Sequence, residues 1–216
     1  MPFDQPLVPR DWCPVVLRRS NLHRRLRPLL LATLFLGRIG AAPPSPSSLR
    51  VIDLDEKPHA VFSGDARDIV VLFFLAPECP VSNRSVPTMR ALAAEFAGAH
   101  VRFLGVYPEP DEPLANLRRH AAEFRLDFPL RVDRPHALVR HTGVTLTPEA
   151  VVADGQGTLL YRGRIDDRFV DFGRERLRAT REDLREVLLA LRAGRRPPFR
   201  ATQGFGCTLS QPVLPR

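Results

Sequence analysis

Cys79 stands where an apolar run, Leu72-Phe73-Phe74-Leu75, passes through Ala76-Pro77-Glu78 into Pro80 and a stretch of helical spacing. A cysteine at such a junction occupies the first turn of a helix, where unpaired N–H groups and the positive end of the dipole favour thiolate over thiol. The chemistry open to it is nucleophilic attack by sulfur. The competing reading is a small buried core residue, a common fate of free cysteines. A second thiol, Cys207, lies in the glycine-flanked segment Gln203-Gly204-Phe205-Gly206-Cys207-Thr208, from which a flexible chain can carry it back across a domain. Cys207 is a resolving or structural partner of Cys79, an independent thiol, or a metal ligand; a bridge needs Cα atoms closer than about 7 Å. The third cysteine, Cys13, precedes the globular part of the chain.

The elements that must hold Cys79 alternate between β and α. Strands are expected over 51–54, 69–75 and 101–107, the second apolar throughout and therefore covered on both faces. After Pro80, which suits a first helical position, Val86, Met89, Ala93 and Phe96 recur at three- and four-residue spacing and predict a helix over 80–97. A helix over 111–124, a strand over 128–132 and a short helix over 135–142 follow. Asp154-Gly155-Gln156-Gly157 between two apolar runs reads as a hairpin turn. A closing helix starts near Thr180 with Asp183 in a capping position and ends before Gly194. This order predicts an α/β sandwich with a mixed central sheet.

With these elements in place the chain, over about residues 50–207, resembles the thioredoxin-like superfamily, and within it the redoxin branch that includes alkyl hydroperoxide reductase and thiol-specific antioxidant proteins. Three features carry the resemblance: Ala76-Pro77-Glu78-Cys79-Pro80-Val81-Ser82, the later Thr147-Pro148-Glu149, and the hairpin after it. The resemblance implies a three-layer thioredoxin-like sandwich and a cis proline at Pro148 facing Cys79. It implies further that Pro80 and Thr147 help hold substrate. Two departures shape the expected activity. Ser82 replaces the second cysteine of a Cys-x-x-Cys pair, so that disulfide cannot form; Ser82 is left to hydrogen-bond the sulfur. Ala76 stands where peroxidase members carry a hydroxyl three residues ahead of the cysteine, which argues against efficient peroxide reduction. The expected activity is thiol–disulfide exchange on a protein or small-molecule thiol or disulfide, with Cys79, Ser82, Pro148 and Cys207 as catalytic residues, no cofactor and no metal. The alternatives are a thiol peroxidase, and a non-enzymatic copper- or haem-pathway binding protein using Cys79 and Cys207, since two soft thiolates begin a copper site.

Composition bounds the rest. With 216 residues, 44% of them hydrophobic, the chain fits one core. The formal charge is +8, yet residues 1–50 carry eight arginines against Asp4 and Asp11, so most of the excess lies in the leader, and no nucleic-acid partner is expected. Arginines 18, 19, 24, 25 and 27, the uncharged run 28–37 and Gly40-Ala41-Ala42 follow the order of an export signal, pointing to the periplasm or another extracytoplasmic site. Ten uncharged residues are too few to span a bilayer, which takes about 20. Membrane contact is then expected only through an uncleaved leader. The expected organisation is a signal-like leader and Pro/Ser-rich linker over 1–49, a redoxin domain over 50–196 and a tail over 197–216 carrying Cys207, in a monomer. The six histidines lack metal-like spacing; His136 and His141 read as solvated or helix-capping, and Asp166-Asp167 as a surface ion-pair cluster.

Overall fold

The computed structural model describes residues 46–98, 100–171 and 173–210, so the segment expected to act as an export signal lies outside the described residues. Among the described residues no helix is long and apolar enough to cross a membrane. In chain order the elements are β1 (Arg50–Ile52), β2 (Pro58–Ala60), β3 (Ile69–Phe74), α1 (Pro80–Phe96), β4 (Val101–Tyr107), α2 (Leu114–Glu123), β5 (Leu130–Val132) and α3 (Ala137–Thr142). There follow β6 (Leu146–Thr147), β7 (Glu149–Asp154), β8 (Leu159–Gly163), β9 (Phe169–Asp171), β10 (Arg174–Glu175), α4 (Asp183–Arg192), β11 (Arg200–Ala201) and β12 (Cys207–Thr208). Eight strands form one mixed sheet in the order β11-β8-β7-β3-β4-β5-β1-β2. At its centre β3 runs parallel to β4 and antiparallel to β7.

The all-apolar run of β3 is explained by its position, for each residue has a core to enter. Ile69, Val71, Phe73 and Leu75 face a cluster built with Met89, Leu92 and Phe96 of α1 and Leu184, Val187 and Leu188 of α4. Val70, Leu72 and Phe74 face the other way, against Val61, Phe62, Leu138 of α3 and Val144. Two helical layers around one sheet make the three-layer α/β sandwich that the alternation predicts. Gly105 of β4 leaves room beside β5, that strand's parallel neighbour in the sheet, for the side chains around it: a Cβ there would lie 2.6 Å from Leu130 Cδ2 and 2.9 Å from Phe128 Cε2.

Differences from the sequence reading lie at helix starts. Asp183 does not cap α4; Glu182 occupies that position without a side-chain bond to the helix. Asp183 is instead fully buried, accepting from Arg164 Nε at 2.6 Å and from the Arg200 guanidinium. It therefore ties β11 to α4. The start of α3 is capped at a distance, with Asp133 accepting from the N–H groups of Ala137 at 2.8 Å and Val139 at 3.0 Å. Neither histidine of that segment is simply solvated: His136 is buried and bonds the Pro108 carbonyl at 2.6 Å, and His141 bonds the Gly157 carbonyl at 2.8 Å. Asp167 is buried too, and it organises the approach to α4 by accepting from Thr180 N–H, the Thr180 hydroxyl and Arg181 N–H. Burial works against its charge, but these donors and Arg176 hold its carboxyl down, to about 2.

Candidate active site

The site is built where β3 ends and α1 begins. Cys79 is the N-cap of α1 in an extended conformation, and Pro80 follows at the first helical position, where its missing N–H costs nothing. The Ser82 N–H donates to Cys79 Sγ at 3.4 Å, so an orphan donor of the helix start is spent on the sulfur. The hydrogen bond expected from the Ser82 side chain to the sulfur is not made; the backbone N–H makes the contact, as any residue but proline at this helix position could. The buried Ser82 hydroxyl accepts instead from the Ala76 N–H at 3.4 Å, fastening the loop ahead of the cysteine.

Across from Cys79 lies β6. The Thr147–Pro148 peptide bond is cis, and the Thr147 carbonyl oxygen accepts from Cys79 Sγ at 3.1 Å, which sets the proline directly beside the thiol. The Thr147 hydroxyl oxygen is buried with no hydrogen-bond partner. Strand β12 pairs antiparallel with β6, Cys207 opposite Thr147 and Thr208 opposite Leu146. Residues 200–208, assigned from sequence to a separate tail, therefore enter two of the sheets. Cys207 packs against Cys79, Ala76 and Val81, and both cysteines are free thiols. Burial, then the hydrogen bond with Cys79 and the charge of Cys79, push the Cys207 thiol up to about 12.

Two features of the site were not read from the sequence. A hydrogen-bonded chain steadies the loop from behind: Asn83 donates through Nδ2 to the Pro77 carbonyl at 2.8 Å and accepts through Oδ1 from His120 Nε2 at 2.8 Å. His120 Nδ1 in turn accepts from the Tyr107 hydroxyl at 2.7 Å, which fixes the neutral tautomer. Burial lowers the His120 pKa, with Glu123 and Glu112 opposing, and burial raises that of Tyr107. The helical spacing of 111–124 gave no hint of this role, because its targets lie 13 and 37 residues away. The second feature is aromatic: Phe169 and Phe205 pack against the Cys79 cluster. Arg168 sits 4.6 Å and Arg84 5.8 Å from the centre of the Phe169 ring. Gly204-Phe205-Gly206, an aromatic between glycines beside a cysteine, was the available signal for Phe205. Pro80 is exposed on the rim near Phe169, Arg84 and Arg174. Among the described residues no group of three or more His, Cys, Asp or Glu side chains is placed to hold a metal ion.

A cysteine capping a helix after a central strand, opposite a cis proline in a mixed sheet, defines a thioredoxin-like protein. The AhpC/TSA family matches residues 50–162, more than half of the chain, and the chain belongs to that family. No curated protein matches it at a significant level. Among solved structures it is similar to an uncharacterized conserved protein from Geobacillus kaustophilus, with 20% identity, 80% of this chain and 94% of that chain covered, and a TM-score of 0.67. A hypothetical protein from Sinorhizobium meliloti 1021 gives 18% identity, 78% and 93% coverage and a TM-score of 0.65. The MTB protein dsbF, solved in mixed oxidized and reduced forms, gives 19%, 70% and 98%, and 0.50. These likenesses establish the fold.

Proposed function

We propose that the chain is an exported thiol–disulfide oxidoreductase in which Cys79 is the nucleophile and Cys207, on the returning strand, is the resolving thiol. The observation that carries this reading is the placement of Cys207 opposite Thr147 and against Cys79, which supplies from the tail the second sulfur missing at Ser82. The Cys79 thiolate attacks one sulfur of a substrate disulfide, forming a mixed disulfide and releasing the other substrate sulfur as a thiolate that takes up a proton. Once Cys79 is in a disulfide it no longer interacts with Cys207 as a titratable thiol, and one of the causes that raise the Cys207 thiol is removed. The Cys207 thiolate then attacks Cys79 Sγ, closing a Cys79–Cys207 disulfide and freeing the second substrate thiol. Two electrons pass to the substrate, and an external dithiol returns them. Thr147 and Pro148 position the substrate backbone, and the His120–Asn83–Pro77 chain keeps the loop in place. Membership of the family, the dsbF-like fold and the signal-like order of the leader support the reading.

The test is trapping. In a Cys13→Ser background, Cys207→Ser treated with a model disulfide is expected to accumulate the Cys79 mixed disulfide by mass spectrometry, and to turn over only with added thiol. If Cys207→Ser turns over as fast as its parent without added thiol, Cys207 is not the resolving residue. Peroxide separates the rival enzyme. Ala76 brings no hydroxyl to the Cys79 cluster, so hydrogen peroxide consumption is expected to be at least about tenfold slower than disulfide exchange at equal concentration. Stopped-flow consumption faster than exchange, and dependent on Cys79, would put the peroxidase reading first.

A further inference from the structure

The cysteine assigned as nucleophile is only 1% exposed. Phe169, Phe205 and Cys207 pack over its cluster, and two of these three belong to the segment between β11 and the end of β12. The segment is fastened at both ends. Thr202 bonds Arg162 and Tyr161 at one side, and at the other Leu209 is buried and its N–H donates to the Thr145 carbonyl at 3.0 Å. Between these anchors the contact with β6 is two residues long, Cys207 opposite Thr147 and Thr208 opposite Leu146. With that pairing and Phe169 in place, Cys79 is almost wholly withdrawn from solvent.

The pairing is also specific about what precedes the cysteine. A Cβ on Gly206 would lie 2.1 Å from the Thr147 carbonyl oxygen, 2.7 Å from its carbon and 3.1 Å from Pro148 Cδ. Approaches below 3.0 Å to backbone atoms cannot be relieved by a side-chain turn. Any chain lying along β6 in this register, with its cysteine opposite Thr147, meets the same wall. Antiparallel addition of an extended segment to a bare strand edge is a general mode of peptide capture: backbone bonds supply affinity, and side-chain room supplies selection.

From this geometry we propose that the strip along β6 takes an extended peptide whose reactive cysteine follows a glycine, and that residues 204–208 are a tethered copy of that peptide which substrate must displace. The proposal rests on Cys79 being the nucleophile, as argued above, and adds the substrate class and the competition. The tail opens as a local event between Thr202 and Leu209, without unfolding the sheet. Displacement carries Cys207 away from Cys79 during the first attack, and Cys207 attacks the Cys79 mixed disulfide as the substrate segment lifts from β6.

The experiment uses the full chain with Cys13→Ser and Cys207→Ser, so that Cys79 is the sole thiol. Adding Gly206→Ala unseats the tail, and labelling of Cys79 by a maleimide is expected to rise at least tenfold. Phe205→Ala, which removes the covering ring and leaves the strand backbone alone, is the second variant and decides the matter should Gly206→Ala fail to fold. A rate within twofold of the parent in whichever variant is folded overturns the proposal. In the unseated variant, two peptides activated as mixed disulfides with 2-nitro-5-thiobenzoate are then compared, Phe-Gly-Cys-Thr-Leu and Phe-Ala-Cys-Thr-Leu. The glycine peptide is expected to react at least tenfold faster, read as thiobenzoate release; release from both peptides at equal rates above the background without protein likewise overturns the proposal. Fast labelling in a protein that exchanges neither peptide would instead remove the oxidoreductase reading and leave the tail's occupancy standing, so the two failures are distinct.

Discussion

Cys79→Ser is expected to lower turnover of a model disulfide by at least about a thousandfold, because a serine hydroxyl is neither appreciably ionised near neutral pH nor able to form the mixed disulfide. The substitution changes one buried atom for a smaller one, and the Ser82 N–H and Thr147 carbonyl can still bond the hydroxyl, so the fold is expected to persist. Turnover and chemical denaturation of the same sample separate the two effects. Residual exchange above about one percent in a correctly folded Cys79→Ser protein, with Cys13 also replaced, would move the nucleophile elsewhere.

The second large effect is on stability. Asp183→Ala removes a carboxylate with no exposed surface and leaves the Arg164 and Arg200 guanidinium groups without their shared partner. Only the carboxylate is buried, while Arg164 and Arg200 are 29% and 37% exposed and can rehydrate, so the loss is expected at about 1–3 kcal/mol. Since Arg200 belongs to β11, the loss falls on the strand from which the tail departs, and hydrogen exchange should rise in β11 and β12 before it rises in β3. A change below about 1 kcal/mol in urea unfolding would mean that the ion pairs contribute little beyond the solvation they replace.

The parts of this molecule that could be read from sequence are those encoded locally. The apolar run of β3, the cysteine and proline that follow it, and the spacing of Val86, Met89, Ala93 and Phe96 determine one another within thirty residues, and α1 begins and ends within a residue of the expected range. Thr147-Pro148 was readable only through the family resemblance, and the cis bond is present there. What escaped were side chains whose partners are distant. Asp183 has the position of a cap, but two arginines arriving from β8's end and from β11 draw it inward. The Ser82 hydroxyl turns toward Ala76 because the helix N–H already serves the sulfur. His120 looks like an ordinary last-turn histidine until α2 packs it between Tyr107 and Asn83. The tail could be described from sequence as mobile and glycine-rich, but the register that sets Cys207 opposite Thr147 depends on the buried anchor at Leu209, for which a lone leucine near a chain end gives no pattern.

The shortness of β6 has a consequence for self-association. A strand stripped of its neighbour presents unpaired N–H and C=O groups, and long bare edges of that kind recruit other chains into growing sheets. Here the edge uncovered when β12 departs is only Leu146–Thr147, and Pro148 ends it with a residue that cannot donate. The large sheet is terminated in the same manner, by β2 opening on Pro58 and by the two-residue β11 shortly after Pro197-Pro198. If the tail opens as proposed, the protein is expected to stay unaggregated at high concentration, because the backbone uncovered is long enough for one incoming segment and too short to template the next.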